Sequence, residues 1–486
     1  MSDSINNKIK KNTIYNAVKT LSAVIFPVIV FPYSSRILQP ENLGKINFAT
    51  SIANYISLIA SLGIATYAVR ECAIVRNNQV KLNKTASQIF SINLLSTFIA
   101  YCVLIILIMT NNKLKEEYIL IIILCIPVLF QSLGADWINT AMGDLRYVTQ
   151  RTIVFQVISL VCIFIFVKNP KDYFRFALIS SGASIGANMV NMLYHKRYCK
   201  IQITKNMNLH RHIKPVLMLF VLTLSQTIFL NIDVTMLGFV KGDIEVGIYS
   251  VAVKIYNLAS TLFSAISIVI IPQLSYSISQ KKYDKVKVLQ RYALSYILVL
   301  GIPMIFGINI LTPEIVILLA GKSYISAVPI LRILTVALLF VMFGGAFIGN
   351  IVLLPAAREK VFMQASILAT FINIVLNYFL IPYYGMVAAA ITTVLSELVI
   401  LVVLIEKGYK EIFTGNIIKM IIQPVIGSIL FYPLKIFICR FTNNGFKRTI
   451  ITIIACAVIY FLTLLLLKNE FLMGFLKNIK TRIKRK

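Results

Sequence analysis

The chain has 486 residues, 58% of them hydrophobic, with a mean hydropathy of +0.83 and a formal net charge of +30. Such apolarity excludes an ordinary soluble domain, in which apolar usage stays near half. The basic excess would suit nucleic acid, but its distribution, given below, argues against that partner.

Apolar runs near 20 residues recur along the chain, each long enough to cross a hydrocarbon core of about 30 Å as a helix. Without water the backbone must satisfy itself, so all-α spans are expected. In chain order they cover 14–34, 46–66, 86–110, 119–140, 152–167, 173–194, 216–237, 247–271, 292–311, 330–354, 364–381, 386–406, 419–440 and 449–467, which makes 14. The first lacks a small-residue cleavage site and reads as a retained span, not a signal peptide.

Alternate connections then fall on two sides. The side holding both termini and the loops 67–85, 141–151, 195–215, 272–291, 355–363 and 407–418 carries 31 Lys+Arg. The opposite side carries 10. This bias predicts a multi-pass membrane protein with both termini in the cytoplasm. The basic charge is thus mainly an orientation signal, with attraction to anionic lipid heads, and no nucleic acid is expected.

The stretch Val18–Asn54 returns at Val221–Asn257 at a constant offset of 203, with 11 identities in 37 positions. The first and seventh spans run in the same direction, so the copies are parallel repeats. The expected plan is a six-helix lobe over 1–205, a second over 206–406, and two extra helices with a basic tail over 407–486. Gly182/Gly186 and Gly345/Gly349 are spaced for close helix packing. Pro27, Pro127 and Pro303 lie inside spans and invite bends.

None of the seven cysteines lies in an outward loop or in a CxxC pair, so no structural disulfide is expected. His210 and His212 form an HxH in a basic loop without a neighbouring acid or Cys, a poor metal site. Enzyme signatures (HExxH, GxSxG with partners, DxD) are absent, and the longest outward loop carries one acid, Glu314.

Ionisable groups in spans are costly, about 2.5–3.5 kcal/mol each at the centre, and are functional candidates by default. Arg36, Lys254 and Arg332 suit an anionic substrate, since Arg offers a planar fork for phosphate and Lys a point charge. Tyr33, Tyr249 and Tyr256 could stack on sugar rings or form an interfacial belt. Asp233 and Glu397 are candidates for exchanging a coupling ion. Asp233 and Lys254 could also simply pair. Lys19 and Lys435 read as snorkelling cations. Lys254 corresponds to Ser51 and Asp233 to Val30, so any site built on them is asymmetric.

Several segments resemble one family in order and spacing. They are Ser35-Arg36-Ile37-Leu38 with Pro40-Glu41-Asn42-Leu43-Gly44-Lys45-Ile46, Leu62-Gly63-Ile64 with Tyr67-Ala68-Val69-Arg70-Glu71, and Asp136-Trp137 with Tyr147 and Arg151. Gly247 to Ile255, Pro272 with Leu274-Ser275, and Asn377 with Ile381-Pro382, Gly385 and Ala388 continue the pattern. Together they resemble the polysaccharide flippases of the Wzx type, in the superfamily that also holds MATE multidrug exporters and lipid II flippases. Thr140-Ala141, Gly143 and Gln273 depart from the family pattern.

The resemblance implies a transporter that moves an undecaprenyl-pyrophosphate-linked oligosaccharide to the outer leaflet by alternating access. It also implies H⁺ or Na⁺ coupling, no other cofactor, and a polysaccharide polymerase and chain-length regulator as partners. Arg70, Glu71, Asp136 and Arg151 take gating or structural roles on this reading. The alternatives are an ion-coupled exporter of small amphipathic molecules and a lipid II-type flippase.

Overall fold

The computed structural model describes residues 2–408, 417–441 and 445–483, all of them helical or in connections. Two compact units result, Met1–Gly247 and Ile248–Lys486.

In the first unit, α1 (Ser2–Ser61) is followed by α2 (Ile64–Val75), α3 (Gln79–Thr110), the short α4 (Asn112–Glu116) and α5 (Tyr118–Gly134). Then come α6 (Trp137–Met142), α7 (Leu145–Phe166), α8 (Tyr173–Tyr194) and α9 (Leu209–Val240). The unit boundary falls inside α10 (Asp243–Ser264). The second unit continues with α11 (Ser267–Ser279), α12 (Tyr283–Ile310), α13 (Thr312–Leu319) and α14 (Ala327–Val341). A π-helical segment, Met342–Leu353, leads toward α15 (Glu359–Gly408). The chain ends with α16 (Ile417–Ile429), α17 (Phe431–Phe441), α18 (Gly445–Leu466) and α19 (Glu470–Ile483).

Among the described residues, 11 helical stretches are long and apolar enough to cross a membrane. Two of these are too long for one crossing. Ala17–Val75 has 59 residues and Glu359–Gly408 has 50, roughly 88 and 75 Å at 1.5 Å per residue. Each is broken where the sequence demands it. Gln39 (φ 62°, ψ 168°) precedes Pro40, which lacks an N–H and bars the α region to its predecessor. Its side-chain Nε2 donates to Arg36 O at 2.6 Å, satisfying one carbonyl freed at the break. Gly385 (φ 53°, ψ −133°) occupies a backbone region open essentially to glycine alone.

By contrast Pro27, Pro127 and Pro303 lie inside helices that continue through them. The weakly hydrophobic run at 152–167 is helical, within α7. The expected glycine pairs are packed on one member each. Gly186 abuts the Phe155 ring and Gly349 the Phe362 ring, while Gly182 and Gly345 meet nothing within 4 Å. Each helix thus presents one glycine to a neighbour and the other away from it, which is why the four-residue spacing overstated the contact.

All seven cysteines are free. The connection 409–416 lies outside the described residues, as do the last three residues of the basic tail. Lys435 does more than reach an interface. Its Nζ sits 2.8 Å from Glu314 Oε1 and donates to Ile310 O at 2.7 Å, tying α17 to the α12–α13 turn.

Candidate functional site

Polar groups buried among apolar helices must be paired, and both units contain such seams. In the first, the exposed Asn54 on the second limb of α1 donates through Nδ2 to Asn231 Oδ1 on α9 at 2.9 Å, at the rim of the seam. One turn along, Thr235 Oγ1 donates to Ser51 Oγ at 2.9 Å. Asp233 lies between these contacts in sequence and is 8% exposed. Arg36 is exposed, just before the break in α1. Tyr33 also has a structural role. Its hydroxyl donates to Val167 O at 2.8 Å and its ring meets Phe164 edge-on, which holds α1 to the end of α7.

The expected gating residues fall into two clusters in this unit. At α2, Glu71 accepts from Arg211 Nη2 at 3.1 Å and lies 3.5 Å from Arg70, whose guanidinium stands over the Tyr67 ring. Tyr67 Oη is 2.7 Å from His212 Nδ1, and His212 Nε2 is 3.2 Å from Gln88 Oε1. His212 is fully buried. The HxH histidine is therefore a bridge between α2, α3 and α9, and among the described residues no acid or thiol group completes a metal site.

In the second cluster, Arg151 on α7 places Nη2 2.8 and 2.7 Å from the two oxygens of Asp136. Its side chain is 5% exposed against 36% for the acid. Next to it Tyr147 and Tyr194 stack with centroids 3.4 Å apart. Tyr194 and Tyr198 both donate to Asp144 Oδ2, at 2.7 and 2.6 Å. Burial pushes the Asp144 carboxyl up, but the two phenol donors, the Tyr147 N–H and the charge of Arg197 outweigh it and hold the group below the usual carboxylate range. Burial and the same acid push the Tyr198 phenol up.

Residues 198–206, expected only as a polar loop, run extended along α3. Lys200 N, Gln202 N and Thr204 N donate to Asn83 Oδ1, Ser87 Oγ and Ser91 Oγ at 3.0, 3.0 and 2.9 Å. Two extended residues advance roughly 6.6 Å and four helical residues roughly 6 Å, so the periods match. A polar residue at every fourth position of α3 was the signal in the sequence.

The second unit holds a denser seam. Asn373 Nδ2 donates to Thr392 Oγ1 (3.5 Å), Thr392 Oγ1 to Asn377 Oδ1 (2.6 Å), and Asn377 Nδ2 back to Asn373 Oδ1 (3.0 Å). This closed ring joins the two limbs of α15 across the Gly385 break. Beside the ring, Tyr249 Oη lies 3.4 Å from Thr393 Oγ1, and about a turn further Tyr256 Oη donates to Glu397 Oε1 at 3.2 Å. Tyr249 and Glu397, expected apart as a sugar contact and an ion-exchange group, thus belong to one α10–α15 seam. Lys254, half-buried on the same α10, has no ion-pair or hydrogen-bond partner among the described residues of its unit. Arg332 is exposed on α14, away from this seam in the chain. The Asn373–Asn377–Thr392 ring is not among the candidates drawn from the sequence, where Asn377 appears only within the family resemblance. Two Asn four residues apart in an apolar span were the available sign.

An apolar cavity of about 640 Å³ runs beside α12, lined by Tyr292, Tyr296, Pro303, Phe431, Tyr460 and Phe471 among others. It has the character of hydrocarbon.

Long helices broken at Gln39 and Gly385, buried polar seams and broad exposed apolar surface define a polytopic helical membrane protein. The same fold occurs in a solved lipid II flippase MurJ in an inward closed conformation, with TM-score 0.71 and 15% identity over 92% of this chain and 97% of that one. The family model "Polysaccharide biosynthesis protein" matches residues 9–278, and the MatE model matches 219–379. The chain belongs to the polysaccharide biosynthesis protein family. Among curated relatives, a protein of Escherichia coli (strain K12) named as an O-antigen transporter is 24% identical over 405 residues, 80% of this chain and 94% of that protein. The capsular polysaccharide biosynthesis protein CapF of Staphylococcus aureus is 24% identical over 411 residues, 83% of this chain and all of that protein.

Proposed function

We propose that the protein flips undecaprenyl-pyrophosphate-linked oligosaccharide units from the cytoplasmic to the outer leaflet of a bacterial inner membrane, for assembly of a surface polysaccharide. The observation that carries this reading is the family match over 9–278, joined to relatives in O-antigen and capsule synthesis that align along four-fifths of the chain. A sugar with many hydroxyls cannot cross hydrocarbon unsatisfied. A polar passage shields it while the lipid tail stays in the bilayer.

On this reading the broken α1 and α15 each supply two spans and α5 supplies one more, giving 14 arranged as parallel repeats over 1–205 and 206–406 with two helices beyond. Both termini face the cytoplasm. Arg36, Lys254 and Arg332 meet the pyrophosphate at successive stages, and Tyr249 meets the sugar. Asp233 and Glu397 exchange H⁺ or Na⁺ as the repeats alternate. A polymerase and a chain-length regulator take the product.

Deleting the gene should leave full repeat units on the lipid carrier at the inner leaflet; units still reaching the outer leaflet would refute the reading. Lys254→Ala should abolish transport in reconstituted vesicles at unchanged protein level. Indifference to both proton and sodium gradients would remove the coupling roles. The second reading, export of small amphipathic molecules, is favoured by the MatE match over 219–379. Restored drug tolerance in an exporter-deficient strain, without any effect on glycolipid, would select it.

A further inference from the structure

The two copies of the internal repeat touch each other at equivalent residues. At the offset of 203, Gln39, Pro40 and Gly44 correspond to Gly242, Asp243 and Gly247. Gln39 and Gly242 share a left-handed backbone, with φ of 62° and 87°. A Cβ built on Gly44 would collide with the carbonyl oxygen of Asp243, and one on Gly247 with the carbonyl oxygen of Pro40. Exchanging the copies turns one contact into the other, the reciprocity that a two-fold axis through the crossing demands. Sequence likeness alone does not require this, because only residues near the axis meet their own equivalents. With hydrogen as the only side chain, two backbones can approach closely enough for Cα–H···O contact.

Ion pairs break the symmetry: Lys45, next to Gly44, pairs with Glu41 and Glu117 within the first copy where the second has Ile248, and another pair links the two copies. Lys113 Nζ, in α4, lies 2.9 Å from Asp243 Oδ2, with side chains 23% and 10% exposed. Pro40, the equivalent of Asp243, has no charge to offer. Away from the crossing, the second limb of α1 and α9 are joined by the polar contacts Ser51–Thr235 and Asn54–Asn231 and by Phe48, whose ring lies against Gly238 and meets Phe239 edge-on. Hydrogen bonds of this kind can be exchanged for water when helices part.

We propose that the Gly44–Gly247 crossing is the joint about which the two repeats turn, and that Lys113–Asp243 is the latch that holds it closed. Gly44 and Gly247 are positioning residues: they set how near the turns lie, and no substrate need touch them. The inference deepens the alternating-access reading and rests on it for its purpose, while the joint itself is tested without substrate.

Ser51, 2% exposed, reports the opening. In a Ser51→Cys background, labelling by a membrane-impermeant maleimide is measured from outside intact cells and from the cytoplasmic face of inverted vesicles. The parent without Ser51→Cys is subtracted for the native cysteines. Gly44→Ala and Gly247→Ala should each speed labelling from outside roughly tenfold, a modest shift of a two-state equilibrium. Lys113→Gln, which adds no bulk and keeps the test open if an alanine variant does not fold, should act in the same sense. Gly182→Ala, where a Cβ meets nothing within 4 Å, should label as the background. Unchanged labelling in the two alanine variants and Lys113→Gln, or opposite shifts in the two glycine variants, overturns the joint. Faster labelling only from the cytoplasmic face would support the joint and overturn the orientation assumed by the flippase reading.

Discussion

Arg151 and Asp136 show what a single residue must accomplish in a helical membrane protein. A guanidinium with 5% exposure persists only if its charge is met, and the nearest acid supplies both oxygens to one nitrogen. Removing the cation strands a partly wet carboxylate. Arg151→Leu should therefore destabilise by about 3 kcal/mol, near the low end for a broken buried pair. The double variant with Asp136→Asn should recover part of that loss in detergent melting curves. Asp144 makes a pH prediction. Its folded-state pKa is depressed, so its contribution is present above the unfolded value of about 3.9 and disappears as pH falls through the lower folded value. Asp144→Asn should melt earlier than wild type at pH 7, with the gap closing as the buffer is taken below pH 4. A gap independent of pH would mean that packing of the tyrosines, not the charge, carries the effect. At this scale Lys435 carries a contact beyond the snorkelling expected of it. Hydropathy reads a lone Lys in an apolar run as snorkelling, whereas Glu314 is 121 residues away in the chain and no local pattern announces it.

At the scale of elements, boundaries were legible where a residue has few backbone options. Pro40 predicts the break at Gln39, and the turn chemistry of Gly385 marks the other. The strap 198–206 on α3 was not legible as structure, because its N–H groups are satisfied by side chains of another element. It yields its own test. Ser87→Ala and Ser91→Ala should each cost about 1 kcal/mol for the lost acceptor. The pair should make tryptic cleavage at Lys200 and Lys205 several-fold faster. Unaltered cleavage would mean that the strap is held by the apolar contacts of Cys199 and Ile201 with α2, α3 and α6. The last helix, α19, was expected only as basic tail. Phe471 and Leu472 pack it against Tyr292, Val299 and Leu464, an amphipathic face too short to register as a span.

For the whole molecule, the charge asymmetry of 31 against 10 Lys+Arg is a statement about every connection at once. Reporter fusions at Met1 and Lys486 should both read cytoplasmic, and an insertion within 111–118 should read external. Opposite readings for the two termini would require an odd number of spans and dissolve the parallel repeat. The candidate site was only half visible at this scale. Tyr249, Tyr256 and Glu397 could each be picked out as polar groups in spans, but their joining into one seam depends on α10 lying beside α15, 141 residues away.

Hydropathy, charge and the repeat at offset 203 are properties of the chain read locally or compared with itself; the first two by themselves settled that this is a helical membrane protein, and the repeat proposed a duplicated plan. They could do so because lipid leaves the backbone a single solution and leaves Lys and Arg a preferred side. The partners of buried polar groups were decided only by tertiary packing, since a hydrogen bond or ion pair in hydrocarbon is made with whichever helix lies alongside. The same is true of Gly44 and Gly247. Their correspondence is written in the sequence, but their mutual contact exists because the fold sets both beside one axis, where nothing larger than hydrogen fits.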